Sequence, residues 1–217
     1  MLCFALSISH ITCQIWRSKT SHTLVLLVSK AHIMSLNINT ANDADLAEFL
    51  SHNGFCEADA NCLQALHPHI SPLLPALTEA FYERILSSDA MRPFVIDRVD
   101  SLKQTHLHWM NMLFSGPFDD QFVQIHQHIG EVHLKQKIPP LFVASSMAFL
   151  RAEMPKLFTP ELLAKFPQYN YAFCTSALLR LIDTCQFLVD RTYYQSLMEL
   201  LGISPKLFLR LMTSSSK

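Results

Sequence analysis

From Asp43 to about Leu201, apolar side chains recur at three- and four-residue steps, the spacing that gathers them on one face of an α-helix. Alternating runs of the kind a half-buried strand needs are absent. The pattern predicts short helices over 45–50, closed by Asn53-Gly54, and over 57–66, ended before Pro68. A stronger helix follows over 71–86. Ser71 serves as its N-cap, Pro72 lies in its first turn, and Leu73, Leu74, Leu77, Phe81, Ile85 and Leu86 form its stripe, with Tyr82 near the edge. The helix over 97–114 sets Val99, Leu102, His106, Trp109 and Leu113 on one face and stops at Ser115-Gly116-Pro117. Further helices cover 141–154, a short piece at 161–166, and a long amphipathic stretch over 169–201 whose buried candidates include Leu178, Leu181, Ile182, Cys185, Leu188 and Val189. Gly202 breaks that stretch, and Ser204-Pro205 starts a last short helix. The expected architecture is all-α: seven or eight helices on short loops, with no linker between two large domains.

The stretch 119–141 carries the most information. It opens on Asp119-Asp120, has Lys135 and Lys137 at its far end, and stops at Pro139-Pro140, each feature suited to the helix dipole or to helix termination. Phe122, Ile125, Ile129, Val132 and Gln136 form its core-facing stripe. His126 and His133 stand two turns apart on the side of Ile129. Gly130 lies one turn before His133, and a mid-helix glycine costs about 1 kcal/mol against alanine. A helix that accepts this cost often lets something bulky approach its backbone. On this helix alone, a packed histidine with a hydrogen-bond partner is a commoner outcome than a metal ligand.

Composition narrows the classes. Half of the 217 residues are apolar, which excludes a disordered chain. The formal net charge of -1 gives no electrostatic argument for nucleic acid or a membrane surface. The six cysteines make no C-x-x-C pair and no C-x-x-C-H haem attachment site, so free thiols in a reducing compartment are expected. The 11 histidines include no pair three or four residues apart, so the ready helical zinc geometry is missing. Residues 1–42 lack Asp and Glu, and their apolar runs are too short to span a bilayer. They read as an extension without fold, with Met34 as the expected true start.

Several pieces then line up in order and spacing: AFYERIL over 80–86, VDSLKQT over 99–105, the acidic entry FDDQFVQ, and HIGEVHLKQKIPPLF over 128–142. Together they resemble the sensor globins, the globin branch at the front of globin-coupled sensors such as aerotaxis transducers and haem-regulated diguanylate cyclases. The resemblance covers about 58–194. It departs from the family pattern at Lys137, where a glycine is usual, and at Phe142-Val143, where an aromatic pair is usual.

The resemblance implies a globin fold around a haem pocket, over 43–201, followed by a tail at 202–217 like the start of a linking segment. It implies haem b as cofactor. His133 matches the proximal histidine that binds haem iron, Tyr82 the distal tyrosine that donates to O2, and Leu102 and Thr105 the distal positions on the facing helix. Phe94 and Trp109 are further candidate cofactor contacts. Each has a plainer reading: Tyr82 as a boundary tyrosine, Thr105 bonded to its own helix, and Phe94 and Trp109 as core. His106 shares a face with Leu102, and a six-coordinate iron through it ranks below ordinary packing. His126 reads as support or packing.

The implied function is reversible binding of O2, with CO or NO as further ligands, relayed through the C-terminal helices of a cytoplasmic homodimer to a separate signalling partner. Neither nucleic acid nor membrane is expected as a partner. The chain carries no G-G-D-E-F cyclase signature, so it reads as a non-enzyme whose catalytic output lies elsewhere. Two alternatives stand beside it. One is a non-haem globin-like interaction module. The other is haem-dependent NO dioxygenation with a separate reductase, since no flavin or nicotinamide fingerprint is present.

Overall fold

A computed structural model describes residues 36–214, so most of the expected N-terminal extension, and Met34, fall outside the described residues. Within them lie nine α-helical segments, and the only β-type pairing is an isolated bridge. They are α1 (Ala44–Asn53), α2 (Glu57–Ile70), α3 (Leu74–Leu86), α4 (Val99–Ser115), α5 (Asp120–Lys135), α6 (Pro140–Glu153), α7 (Pro160–Leu163), α8 (Tyr171–Leu201) and α9 (Pro205–Ser214). Residues ahead of α1 are tied down: the Asn37 amide donates to the Phe118 carbonyl at 2.9 Å and the Asn39 amide to Asp120 Oδ1 at 2.7 Å.

Local chemistry sets the helix ends. Asp43, Asp119 and Asn170 each accept a backbone N–H from the first turn of the helix that follows, satisfying a donor the helix leaves over. Gly54 (φ 76°) and Gly202 (φ 63°) close α1 and α8 in the left-handed conformation that glycine adopts without strain.

Two expectations at α2 and α3 are corrected. α2 runs through Pro68 to Ile70, because a proline in the last turn removes only one hydrogen bond. Ser71 is not an N-cap: its hydroxyl donates to Asn111 Oδ1 at 2.6 Å, and a 3₁₀ turn over Ser71–Leu73 carries the chain into α3. The cap position falls on Leu73, which has no capping side chain.

α8 is the axis of the fold. It packs against α1, α2, α5 and α6. Leu178, Leu181, Ile182, Cys185, Leu188 and Val189 are all buried along it, as their spacing predicts. By length and composition α8 could cross a membrane, but half of its most apolar window is buried against the other helices, as in a core helix. Two ion pairs lock its neighbours in place. Arg180 reaches both carboxylate oxygens of the fully buried Asp59 on α2 at 3.1 Å, and Arg191 reaches Asp43 ahead of α1 at 2.7 Å.

α5 crosses α8 at Gly130. A Cβ there would sit 2.8 Å from Thr192 Cβ and 3.1 Å from the Val189 carbonyl oxygen, so the bulky neighbour expected at this glycine is the α8 backbone itself. The face of α5 turned to that crossing is Phe122, Val123, His126 and Gly130. It differs from the expected stripe by a small rotation. Ile129 and Val132 line a cavity instead, so the apolar surface of α5 is split between the core and a pocket.

The end of α5 holds the one described non-glycine residue with positive φ, Lys137 at 55°. This conformation costs an L-residue roughly 1–2 kcal/mol, which explains why sensor globins usually place glycine there. After allowance for the entropy of glycine, Lys137→Gly is expected to raise unfolding stability by about 0.5–1 kcal/mol. Urea unfolding of the two proteins measures it, and an unchanged midpoint would show that the turn is not strained.

Candidate functional site

A cavity of about 430 Å³ opens between α3, α4, α5, α6 and α8. That is within the range of about 300–1,000 Å³ usual for small-molecule and cofactor pockets. No Asp or Glu lines it, and Arg98 is its one permanently charged wall residue. The six residues singled out from the sequence, Tyr82, Phe94, Leu102, Thr105, Trp109 and His133, all lie on its wall.

His133 sits in the last turn of α5. Its Nδ1 donates to the Ile129 carbonyl one turn back at 2.7 Å, and Nε2 has no protein partner. The carbonyl can only accept, so this bond fixes the proton on Nδ1 and leaves the Nε2 lone pair free. Burial, helped by nearby Arg98 and opposed by the Ile129 hydrogen bond, holds the imidazole pKa below its usual value. The ring is therefore neutral at pH 7, as a metal ligand must be. The Ile129 carbonyl is the orienting partner that metal-binding histidines ordinarily have.

Tyr82 is 5% exposed, so it is no boundary tyrosine. Its hydroxyl makes no hydrogen bond within the protein, and burial pushes its pKa up to about 12 against the opposing charge of Arg98. It stays a protonated donor. Thr105 donates its hydroxyl to the Ser101 carbonyl of its own helix at 3.0 Å, so its proton is already used. Leu102 is half-buried on the α4 wall, and Phe94 stands edge-on to Phe142 at 5.6 Å.

Trp109 has a defined task. Its indole N–H donates to His126 Nε2 at 2.9 Å, while His126 Nδ1 donates to the Phe122 carbonyl at 2.7 Å. Both nitrogens of His126 are spent, and the bond ties α4 to α5 beneath the cavity. Burial, partly offset by the Phe122 hydrogen bond, lowers the His126 pKa to about 4. An unfolded chain takes up that proton near pH 6.5. Between the two values the unfolded state binds more protons, so the stability from this group is complete above about pH 6.5 and drains away as pH falls toward 4. The cofactor-free protein should melt at progressively lower temperature over that window. His126→Gln, which cannot titrate, should give a shallower profile, and equal slopes would assign the effect elsewhere.

Two features around the cavity have no counterpart among the sequence-based expectations. Arg98, at the cavity edge, donates to Gln136 Oε1 at 3.1 Å and is close enough to bias the ionisation of both Tyr82 and His133. Periodicity could not find it, because its position depends on two 3₁₀ turns over Arg92–Phe94 and Ile96–Arg98. The second is the bond from the Tyr193 hydroxyl on α8 to the Ile138 carbonyl at 2.7 Å, which pins the strained turn after His133.

Comparison with known proteins places this arrangement. The family model described as Protoglobin matches residues 42–199. The chain belongs to the Protoglobin family. Among solved structures, the globin domain of the Geobacter sulfurreducens globin-coupled sensor superposes with a TM-score of 0.59 at 23% sequence identity, covering 68% of this chain and 96% of that one. That likeness shows the shared globin fold. The all-helical architecture is therefore that of a protoglobin.

Proposed function

We propose that this protoglobin binds haem b in the cavity and acts as a reversible sensor of O2, with CO and NO as further ligands. The observation that carries this is His133: a neutral imidazole with Nδ1 anchored, Nε2 free, set in a wall of aromatic and aliphatic side chains. The donor set suits the group. A flat macrocycle needs apolar walls and one neutral nitrogen donor, and the unpaired Tyr82 hydroxyl suits a polar gas on the far side. Haem bound here would supply an iron able to take up a diatomic gas.

The chain's own residues do the rest. His133 would hold the iron through Nε2. Tyr82 would donate a hydrogen bond to O2, and Leu102 would help to keep water from the cavity. Trp109 and Phe94 wall the macrocycle, and Thr105 offers lone pairs only. Arg98 would offer a positive charge to a haem carboxylate.

Two hydrogen bonds support such a relay. The Ile138 amide donates to the His133 carbonyl at 3.0 Å, and the Ile138 carbonyl accepts from Tyr193 on α8. A displacement of His133 therefore bears directly on α8. Beyond that point α8 exposes Tyr194, Leu197, Leu200 (83%) and Leu201, and Leu141 at the start of α6 is also exposed. This apolar surface supports a homodimer through α6 and α8, with a separate signalling partner reading the state. The four described cysteines are free thiols, which agrees with a cytoplasmic setting. Catalytic output belongs outside this chain. Titration of the purified, cofactor-free protein with haemin tests the reading. One equivalent should saturate a sharp Soret band, and non-saturable, detergent-like uptake would reject it in favour of a non-haem interaction module.

A further inference from the structure

The haem reading makes no use of the cysteines. Of the four described thiols only two touch: Cys62 on α2 and Cys174 near the start of α8, whose sulfurs lie 3.6 Å apart. Both side chains are 0% exposed, and neither lines the cavity. They stand 112 positions apart in the chain, so the contact is made by the fold and not by a local turn. Cys56, at the N-cap of α2, and Cys185, on the cavity wall, touch no other described thiol. Among the described residues no third ligand joins the pair to make a metal site.

The two thiols are not equivalent. The Cys62 S–H donates to the Cys174 sulfur, and this bond, with burial added to it, raises the Cys62 pKa. The same bond, opposed by burial, lowers the Cys174 pKa. Cys174 also lies in the first turns of α8, where its amide donates to the Asn170 carbonyl at 3.0 Å and the helix dipole favours an anion. Cys174 is therefore the sulfur that ionises first, and the thiolate is the reactive form. The pair lies close to Tyr169, a half-buried residue of the loop between α7 and α8. Burial raises that phenol's pKa, and charge on either sulfur raises it further.

We propose that Cys62 and Cys174 form an oxidative modification site, at which a hydroperoxide converts the two thiols into a disulfide joining α2 to α8. The Cys174 thiolate attacks one peroxide oxygen. An S–O bond forms, the O–O bond breaks, and the hydroxide that leaves takes up the proton Cys174 released. The Cys62 sulfur then attacks the resulting sulfenic acid. The S–S bond forms as the S–O bond breaks, and the second hydroxide leaves with the Cys62 proton as water. Two thiols and one hydrogen peroxide give one disulfide and two waters, and the two sulfurs supply the two electrons. The sulfurs must close by about 1.5 Å to reach bonding distance. The new bond joins helices that the Asp59–Arg180 ion pair already holds together. A reducing compartment keeps the site open at rest, so the disulfide marks exposure to peroxide.

The test treats the full-length, haem-free chain with equimolar hydrogen peroxide under native conditions. Remaining thiols are alkylated and peptides are mapped without reduction. A peptide pair linking Cys62 to Cys174 should appear, two fewer thiols should be alkylated, and dithiothreitol should reverse both changes. The melting temperature should rise by roughly 5–15 °C, the scale expected when a crosslink closes so long a loop. Cys62→Ser, whose hydroxyl can still donate to Cys174, should stop at the sulfenic acid and take up dimedone at Cys174. Cys174→Ser should leave Cys62 unlabelled. Peroxide that consumes Cys56 or Cys185 while Cys62 and Cys174 stay alkylatable would overturn the proposal. A crosslink that forms only in urea would do the same, since the native contact would then play no part. With no haem present, neither result bears on the haem reading.

Discussion

His133→Ala is expected to abolish stoichiometric haem binding while leaving the helical fold intact. The residue sits at the C-terminal end of α5, half-buried on a cavity wall, and the one hydrogen bond of its side chain is to its own helix. Its removal therefore breaks no contact between elements. What disappears is the only cavity imidazole that combines an oriented Nδ1–H with a free Nε2. Loss of supporting groups alone weakens metal sites roughly 10–100-fold, so loss of the donor itself should lower haem affinity by at least about 100-fold. Free imidazole added to the variant should enter the space left behind and recover much of the spectrum. Haem titration with and without imidazole measures both effects. Unchanged stoichiometry and an unchanged spectrum in His133→Ala would remove this residue from the site.

The second large effect concerns selectivity between gases. Tyr82→Phe deletes one hydroxyl that has no partner in the protein, so neither packing nor any internal hydrogen bond is lost. A hydrogen bond to a charged or strongly polarised acceptor is worth about 1.5–3 kcal/mol, which is a factor of roughly 10–150 in rate at room temperature. The O2 dissociation rate should rise by that factor. CO carries little charge and its release should barely change. Because the hydroxyl pKa lies near 12, the effect should be flat from pH 6 to pH 9. Laser-flash or stopped-flow dissociation with both gases gives the comparison. Equal O2 rates in the two proteins would show that another group holds the gas.

Much of this fold can be read from one sequence, for a definite reason. Helices longer than three turns advertise a buried face, and α3, α4 and α8 bury, half-bury or turn to the cavity most of the side chains their spacing selects, Leu73, exposed ahead of α3, being an exception. The failures occur where one residue answers to two demands. Pro68 reads as a stop signal, yet a proline in the final turn of α2 is tolerated. Ser71 reads as a cap, yet Asn111 on α4 takes its proton. The apolar residues of α5 read as one stripe, yet Phe122 faces the core while Ile129 and Val132 face the cavity. Position Lys137 was legible only as a departure from sensor-globin sequences, and its positive φ supplies the physical content.

The candidate site was legible as a set of residues and illegible as a network. Helical spacing and resemblance singled out Tyr82, Leu102, Thr105 and His133, and all four line one cavity. The bonds among their neighbours join separate elements: Trp109 to His126, Arg98 to Gln136, Tyr193 to Ile138. No local pattern encodes such pairs. The unsatisfied state of His106 Nδ1 is harder still to foresee, because it is defined by a partner that is missing.

A protoglobin that holds haem through His133 should bind O2 reversibly. The most direct measurement is the absorption spectrum of the haem-reconstituted protein, reduced under nitrogen, exposed to O2, then returned to nitrogen. The Soret and visible bands should shift on O2 and come back on its removal, over several cycles, with little ferric product. A reconstituted protein whose spectrum ignores O2, or turns ferric on first contact, would contradict it.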